Sequence, residues 1–263
     1  MKKDRPLALE VKGLTVHYGA VPVLWDIELG VPCGRLVGIM GPNGAGKTTF
    51  IKAVLGLLEG TTGVVRVLHH KLDAVRRKVA YVPQRSVVDW DFPMSVRDLV
   101  EMGRYPRLGM FRSLDRDDRF HVDRALELLD LRGVASSQIG QLSGGQRQRA
   151  FLARSLAQDA EVYFLDEPFE GIDQVSEQIL FDALRTMKHE GKSIFVVHHD
   201  LVTAGKYFDW AVLLHVRLVA SGRMQQVFTF DNLQLTYGKN LTLVEEVVKM
   251  LATFAEGGAP HGG

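Results

Sequence analysis

The sequence predicts an α/β fold in which a mostly parallel sheet is covered by helices on both faces. Strand-sized apolar runs at 159–166, 193–198 and 211–215 alternate with segments of helical periodicity near 145–158 and 174–190. Such alternation is typical of parallel sheets, because a parallel connection needs a crossover that is usually a helix. With 263 residues, 46% of them hydrophobic, the chain is long enough to bury the core of one elaborated domain.

The N-terminal part predicts a sheet of a different kind. Residues 7–29 alternate between apolar and polar, with turn breaks expected at Gly13 and at Gly19-Ala20, and residues 63–68 form another run of this type. This alternation indicates short antiparallel strands. We therefore expect an antiparallel β subdomain in addition to the parallel core.

The predicted strand Leu36–Met40 runs directly into a glycine-rich turn. After the turn, apolar residues recur at i, i+3, i+4 and i+7, the spacing of one helical stripe, and Gly60 is expected to end that helix. The stripe consists of Ile51, Val54, Leu55 and Leu58.

The middle of the chain predicts an inserted α-helical subdomain. Val79–Val82 is a short strand, and residues 95–103 and 117–130 then show helical periodicity with many charges on the outer face. We expect one domain over residues 1–263. Its parts are the antiparallel sheet and core at about 7–84 and 159–220, the helical subdomain at 85–158, C-terminal helices at 221–255 (most clearly 241–255) and a flexible tail at 256–263.

The composition argues against several classes of protein. A formal net charge of +1, from 32 basic and 31 acidic residues, creates no overall field that would attract nucleic acid or anionic lipid. The single cysteine, Cys33, excludes an intrachain disulfide and suits a reducing compartment. One arginine-rich stretch is interleaved with aspartates, and we expect a solvated helical face there. Its arginines are Arg104, Arg107, Arg112, Arg116 and Arg119.

Two further features bear on membranes and metals. No stretch approaches the roughly 18–20 apolar residues that span a bilayer, and the charged N-terminus lacks the apolar run of a signal peptide. We therefore expect a soluble chain, for which any membrane role would depend on a partner. His69-His70 and His198-His199 predict no metal site, because adjacent residues on a strand point to opposite faces.

Residues 41–48 fit the pattern G-x-x-x-x-G-K-[ST], placed between a strand and a helix. Glycines let backbone N–H groups turn inward around phosphate oxygens, and the following helix points its positive end at the same place. Lys47 adds a charge for the β- and γ-phosphates, and the Thr48 hydroxyl is a Mg²⁺ ligand. The pattern predicts the core of a P-loop NTPase of the RecA-like kind. The predicted nucleotide-binding residues here are Gly41, Pro42, Asn43, Gly44, Ala45, Gly46, Lys47, Thr48 and Thr49.

An apolar strand ending in two carboxylates supplies the second half of the predicted site. Val162–Leu165 is followed by Asp166, which can hold Mg²⁺, usually through a water, and by Glu167, which is free to polarise the attacking water. Many strands end in Asp-Glu, so this pair alone does not predict a Mg²⁺ site. Together with the phosphate loop it does.

Leu142-Ser143-Gly144-Gly145-Gln146 opens a predicted helix, with Ser143 as its N-cap. This string resembles the signature motif of the ABC transporter ATPases, and the resemblance covers nearly the whole chain with every motif in family order. It implies an ATP-hydrolysing subunit that uses ATP and Mg²⁺ and works as a homodimer with nucleotide between two subunits. Lys47 and Glu167 of one subunit then face Ser143 and Gly145 of the other.

The same resemblance implies roles for single residues. Tyr18 matches the aromatic that stacks on adenine, and Asp173 matches the D-loop aspartate. Gln84 matches the glutamine that reaches Mg²⁺ and the attacking water, and His199 matches the switch histidine that contacts the γ-phosphate. The implied catalytic residues are Glu167, His199 and Gln84, and the implied Mg²⁺ ligands are Thr48, Gln84 and Asp166.

The chain departs from the family pattern at two places. His198 stands where threonine is common, and Glu170-Gly171-Ile172-Asp173 replaces the commoner Ser-x-Leu-Asp. Gly171 is expected to loosen the turn, and Glu170 to add charge near the dimer seam. Neither change removes a catalytic group, so we expect hydrolysis to be intact.

A narrower resemblance points to the ATPases of manganese, zinc and iron uptake systems. It lies in residues 81–93, 103–105, 109–111 and 166–173. It implies metal uptake, manganese ahead of zinc or iron, and a helical surface over residues 90–111 that accepts a coupling helix of the permease.

The implied partners are integral membrane permease subunits and, indirectly, an extracytoplasmic substrate-binding protein, with the chain on the inner face of the cell membrane. No nucleic-acid partner is expected. The alternative is a soluble ABC ATPase acting on ribosomes or DNA. Those proteins usually carry two ATPase units, long coiled insertions or basic patches, and this sequence has one unit, no insertion and almost no net charge.

Overall fold

The structure is a computed structural model that describes residues 6–19, 21–84, 92–108 and 113–238. Predictions for 85–91, 109–112 and 239–263, including the helix at 241–255 and the tail, lie outside these residues. The strands are β1 (Leu7–Tyr18), β2 (Val21–Pro32), β3 (Leu36–Met40), β4 (Thr61–Val67), β5 (Val79–Val82), β6 (Val162–Leu165), β7 (Ser193–Val197), β8 (Trp210–His215) and β9 (Arg217–Arg223).

Helices separate most of the strands, as the alternating pattern predicted. Short 3₁₀ turns also occur at Arg76–Lys78, Met102–Arg104, Arg132–Val134 and Ile139–Gln141. The α-helices are α1 (Lys47–Val54), α2 (Leu72–Val75), α3 (Val96–Glu101), α4 (Tyr105–Leu108), α5 (Arg116–Leu128), α6 (Gly144–Ala157), α7 (Gln174–His189), α8 (Leu201–Tyr207), α9 (Met224–Val227) and α10 (Phe230–Tyr237).

The chain divides into two compact units. The first unit comprises residues 1–72 and 197–263, and the second comprises residues 73–196. The first therefore contains the phosphate loop and His199. The second contains Gln84, Glu167 and the signature string.

The first unit contains the predicted antiparallel sheet, in the order β2-β1-β4. The expected turn break at Gly13 is wrong, because β1 continues through this residue as a bulge. Gly13 has φ 60°, and the register with β2 shifts between Val11 and Leu14. On the neighbouring strand, a Cβ added to Gly63 would lie 2.5 Å from the Gly13 carbonyl oxygen. A bulge absorbs one extra residue without ending the ladder, and two glycines let the backbones approach at that point.

The first unit also holds the central strand that leads to the phosphate loop. β3 pairs in parallel with β8, and β8 pairs antiparallel with β9. Every residue of β3 is buried, as expected for a strand covered on both faces. The sequence did not predict β9, since its small and polar residues (Ser221 and Gly222 among them) weaken the apolar signal of a strand.

Helix α1 is shorter than expected. It ends at Val54, so Leu58 lies outside it, and Gly60 does not end it. Gly56 has φ 63°, its N–H donates to Ala53, and the N–H of Leu57 donates to Lys52. This pair of bonds is a Schellman motif, in which a left-handed glycine satisfies the last carbonyls of a helix. The apolar stripe alone could not locate this stop.

The second unit contains three parallel strands, with β5 pairing with β6 and β6 with β7. β6 and β7 are buried along their whole length, and Phe164 stacks on Phe195 with the ring centroids 4.8 Å apart. Helices α3 and α5 pack on α6 in the same unit. These contacts fix α6, whose first turn carries the signature string.

The arginine-rich stretch is only partly solvated, so the expectation of a solvated face is wrong for Arg104. Its side chain is 2% exposed, its Nε donates to the Asp118 carboxylate at 2.8 Å, and one Nη donates to the Ala157 carbonyl at 2.8 Å. Burial acts to raise the pKa of Asp118, but the bonds from Arg104 and from the Asp115 backbone hold it below its ordinary value. An arginine is buried only when its donors are matched in this way, and sequence spacing does not reveal such a match.

Candidate nucleotide-binding and hydrolysis site

The phosphate loop connects β3 to α1 in the first unit, and its glycines are needed for their backbone. Gly44 and Gly46 have φ 80° and 91°. A Cβ on Gly46 would lie 2.6 Å from Leu24, and one on Gly41 would lie 2.1 Å from the carbonyl oxygen of Leu214. The predicted loop is therefore closely packed on β2 and on the end of β8, where no larger residue fits.

Lys47 is held inside the loop that it follows. Its side chain is buried, and Nζ donates to the carbonyl oxygens of Gly41 at 2.8 Å and of Pro42 at 3.0 Å. The first turn of α1, which includes Thr48 and Thr49, contains no acidic residue. The ammonium group and the positive end of the helix therefore act in the same direction, an arrangement that suits phosphate.

Two aromatic residues lie at the margins of this half of the site. Tyr18 ends β1 and is 56% exposed, so its ring is accessible for stacking. Tyr237, on α10, was missed by the sequence analysis. Burial raises the pKa of Tyr237, and its hydroxyl faces the backbone of Gly41. No motif marks α10, so only the fold reveals that this helix supports the phosphate loop.

The two histidines after β7 occupy opposite environments. His198 is 2% exposed, its N–H donates to Ile39, and its Nε2 lies 2.9 Å from the Thr203 hydroxyl. Burial lowers the pKa of His198 to about 4, so the ring is neutral at physiological pH. His199 is exposed. The departure at 198 is thus accommodated in the core, while the predicted switch histidine stays accessible.

The other histidine pair, His69-His70, was expected on a strand but lies in a turn. β4 ends at Val67, and His69 has φ 66° in the turn that follows. Its Nε2 accepts the backbone N–H of Leu7 at 3.1 Å. Among the described residues, no three His, Cys, Asp or Glu side chains form a group suited to a metal ion.

The carboxylate half of the site follows β6 in the second unit. Asp166 is 1% exposed, and its N–H donates to Val82 at 2.9 Å, which continues the β5–β6 ladder. Burial and the charge of Asp166 raise the pKa of Tyr81 to about 12. Glu167 is the next residue and is only half-buried, with φ 51°, a left-handed conformation that is uncommon outside glycine. The turn thus separates a buried carboxylate from an accessible one.

The structure brings the predicted glutamine directly to the predicted base. Gln84 donates from Nε2 to Glu167 at 2.6 Å and to Glu170 at 3.1 Å. The contact with Glu167 joins two residues for which the resemblance implies catalytic roles. The contact with Glu170 was not predicted, since the sequence suggested only an added charge at this position.

The signature string begins α6 as expected. Ser143 is the N-cap, and it forms a capping box with Gln146, in which the Gln146 N–H donates to the serine hydroxyl at 3.3 Å and the Ser143 N–H donates to the Gln146 side chain at 2.9 Å. Leu142 is buried, whereas Ser143 and Gly144 are exposed. The first turn of α6 contains no acidic residue, so its positive end is not neutralised from within the helix.

Gly145 lies against the start of α7. A Cβ on Gly145 would lie 2.3 Å from the Ser176 hydroxyl and 2.7 Å from the Asp173 carboxylate. Asp173 is the N-cap of α7, and hydrogen bonds from the backbone and the hydroxyl of Ser176 lower its pKa. The predicted D-loop aspartate is therefore fixed against the signature glycine of the same chain.

A strand that leads into a glycine-rich loop, with a buried lysine and an acid-free helix start, defines a P-loop nucleotide-binding protein. A family model described as ABC transporter matches residues 24–170, and the chain belongs to this family. It therefore binds nucleotide and is the ATP-hydrolysing subunit of an ABC transporter. The alternative of a non-transport ATPase is not favoured.

Curated relatives cover nearly the whole chain. The manganese transport system ATP-binding protein MntB of Bacillus subtilis is 48% identical over 91% of this chain and 96% of its own length. The zinc transport system ATP-binding protein TroB of Treponema pallidum is 46% identical over 89% of this chain and 88% of its own length.

Solved structures agree with the fold. One is an inward-facing ABC transporter of metal-chelate type, with a TM-score of 0.76, 25% identity and coverage of 88% of both chains. Another is the ATP-binding subunit of an ABC transporter, with a TM-score of 0.74 and 27% identity over 91% of this chain and 99% of that one. Within the described part of the chain, no helix is both long and apolar enough to cross a bilayer.

Proposed function

We propose that this chain powers the uptake of a divalent transition metal ion through a separate membrane permease, with manganese ahead of zinc or iron. The observation that carries this proposal is near-full-length similarity, at 48% and 46% identity, to ATP-binding subunits of a manganese and a zinc transport system. The motif likeness in residues 81–93 and 166–173 points the same way.

The roles that we propose in hydrolysis are those implied by the family resemblance, and the local geometry of each half supports them. The loop 41–48 and Lys47 bind the phosphates, Tyr18 stacks on adenine, and the exposed His199 contacts the γ-phosphate. Glu167 is the general base, since it is the accessible carboxylate after β6 and a base must reach the attacking water.

A Mg²⁺ ion fits the donor set of the predicted ligands. Thr48, Gln84 and Asp166 each provide an oxygen donor, which is the ligand type that Mg²⁺ prefers. When bound, the ion neutralises charge on the phosphates. Asp166 is buried, and its backbone N–H is bonded to the Val82 carbonyl, so the main chain that carries this carboxylate is held in the sheet.

We propose that two copies form a homodimer in which the signature string of one faces the nucleotide of the other. Two observations support this. Ser143 and Gly144 are exposed at the start of a 14-residue helix, and that start carries a positive end without an acidic residue. An exposed helix start of this kind suits the γ-phosphate of a nucleotide held elsewhere.

We propose that a short helix of the permease docks on the second unit. A groove of about 270 Å³ there has both apolar and polar lining residues, which are Tyr81–Pro83, Met102, Gly103, Pro106, Phe151, Arg154, Ser155 and Gln158. Close to it in sequence, Tyr105 is 56% exposed and Phe92 is 54% exposed. Aromatic anchors around a groove are the usual way to hold an amphipathic helix. Trp90 and Phe111, also expected in this surface, lie outside the described residues.

Such docking places the chain on the inner face of the cell membrane, with the extracytoplasmic substrate-binding protein as an indirect partner. The test is metal accumulation in a strain that lacks this subunit, complemented with the wild-type chain or with Glu167→Gln. Manganese uptake should return only with the wild type, while purified Glu167→Gln still binds ATP.

The zinc and iron contents of the same cells decide between the metals. Restored zinc or iron uptake without manganese would change the cargo and leave the transport function standing. If complementation restored uptake of none of these metals although the chain was expressed and hydrolysed ATP, the proposal of metal uptake would be wrong.

A further inference from the structure

Glu170 makes a contact in the second unit that the predicted reaction does not use. The Gln84 side-chain nitrogen lies 2.6 Å from a carboxylate oxygen of Glu167 and 3.1 Å from one of Glu170. A glutamine NH₂ group has two N–H donors and an ionised carboxylate only accepts, so one nitrogen can serve both side chains. Both acceptors carry charge, which strengthens each bond.

The backbone between the two glutamates holds them on the same glutamine. The Glu170 N–H donates to the Glu167 carbonyl at 3.2 Å, closing a turn over four residues. Inside this turn, Phe169 stacks on Phe181 of α7 with the ring centroids 4.1 Å apart and the ring planes 10° from parallel. The turn is therefore anchored to a helix on one side, and its two carboxylates converge on Gln84 on the other.

We propose that Glu170 is a positioning residue that restrains Gln84 against Glu167 and so lowers the basal turnover of the chain. The inference rests on the proposed roles of Glu167 as base and of Gln84 as the glutamine that reaches Mg²⁺ and the attacking water. A base must come within about 2.6–3.2 Å of the atom that carries the proton it abstracts, so an amide nitrogen at 2.6 Å competes with the attacking water for the same carboxylate. Glu170 adds a second bond that must break before Gln84 leaves.

The chemistry of the amide decides the sign of the expected effect. With both N–H groups directed at carboxylates, the Gln84 oxygen must point away from them, and rotation of the amide would bring oxygen against oxygen. Removing Glu170 leaves one bond instead of two. Gln84 then leaves Glu167 more easily, and turnover without permease should rise by about twofold to tenfold, the range that one hydrogen bond contributes.

The experiment compares Glu170→Ala and Glu170→Gln with the wild type in steady-state ATP hydrolysis by the purified full chain. Glu170→Ala should raise kcat and leave the KM for ATP unchanged, because nucleotide binds at the phosphate loop. Glu170→Gln keeps an acceptor oxygen but loses the charge, so it should lie between the two. In a Gln84→Ala background, Glu170→Ala should have no further effect.

A second readout does not depend on turnover. The side-chain NH₂ resonances of Gln84, assigned by their loss in Gln84→Ala, should shift in Glu170→Ala in the absence of nucleotide. Unchanged resonances, an unchanged or lower kcat, or an equal effect of Glu170→Ala with and without Gln84 would overturn the inference. Glu167→Gln distinguishes a failure of the proposed function from a failure of this inference. If Glu167→Gln remains active, the proposed base is wrong. If Glu167→Gln is inactive but the effects of the substitutions at 84 and 170 are additive, only the role of Glu170 is refuted.

Discussion

Replacing Asp118 by alanine should unfold the helical part of the second unit at a much lower temperature. The Arg104 guanidinium is 2% exposed, and its Nε donates to Asp118 at 2.8 Å. In Asp118→Ala the buried cation keeps the Ala157 carbonyl at 2.8 Å and the Asp117 carboxylate, which is 72% exposed and lies 3.7 Å away. Neither replaces a direct carboxylate bond, so the charge remains buried without adequate compensation.

The magnitude follows from the burial of the pair. Removing one partner of a buried ion pair costs about 3–5 kcal/mol, because the other charge stays desolvated. Asp118 also accepts the N–H of Asp115 in the capping box of α5, so part of the loss comes from the helix start. For a chain of this size, this loss lowers the melting temperature by roughly 10 °C.

Thermal unfolding followed by far-ultraviolet circular dichroism measures the effect. Asp117→Ala is the matched control, since that carboxylate is exposed, and it should cost less than about 1 kcal/mol. If Asp118→Ala and Asp117→Ala melted within about 2 °C of each other, the buried pair would not have the importance inferred from its geometry.

The difference in stability between wild type and Asp118→Ala should depend on pH with a definite sign. The pKa of Asp118 is lower in the folded state than its ordinary value of 3.8. Its stabilising contribution is therefore fully present above that ordinary value and is lost as the pH falls through the lower pKa of the folded state. The gap between wild type and Asp118→Ala should be the same at about pH 5.5 and 7.5 and should shrink only in strong acid.

Two further predictions concern the site, and a third concerns the proposed docking surface. The Lys47→Ala chain and the Ser143→Arg chain should each be inactive alone. If the site is formed in trans, mixing them should restore part of the ATPase activity, because one of the two composite sites in a heterodimer carries neither lesion. Heterodimers without activity would exclude that geometry. Gly145→Ala should cut ATP turnover by at least about tenfold, since the added Cβ would lie 2.3 Å from the Ser176 hydroxyl. Adding Ser176→Ala to this variant should restore part of the turnover. Normal turnover in Gly145→Ala alone would contradict the tight packing. Tyr105→Ala or Phe92→Asp should reduce permease co-purification and metal uptake together while ATP affinity is kept; the reverse pattern would make these residues part of the core.

The chemistry of the site could be predicted from the sequence because it depends on residue type and short spacing. The loop 41–48, the pair Asp166-Glu167 and the N-cap Ser143 are local patterns, and each lies at the strand end or helix start expected for it. The strands β3 and β5 were also located to the residue, since short apolar runs between turn residues leave little choice.

Tertiary structure decided the features that depend on distant contacts. The bulge at Gly13 needs the approach of Gly63, the burial of Arg104 needs Asp118 and a carbonyl of α6, and the bond from Gln84 to Glu170 joins residues 86 positions apart. A sequence states which groups are present and how close they lie along the chain. Desolvation and hydrogen-bond matching are properties of the packed chain, so only the fold showed which arginine is buried and which glutamate reaches the glutamine.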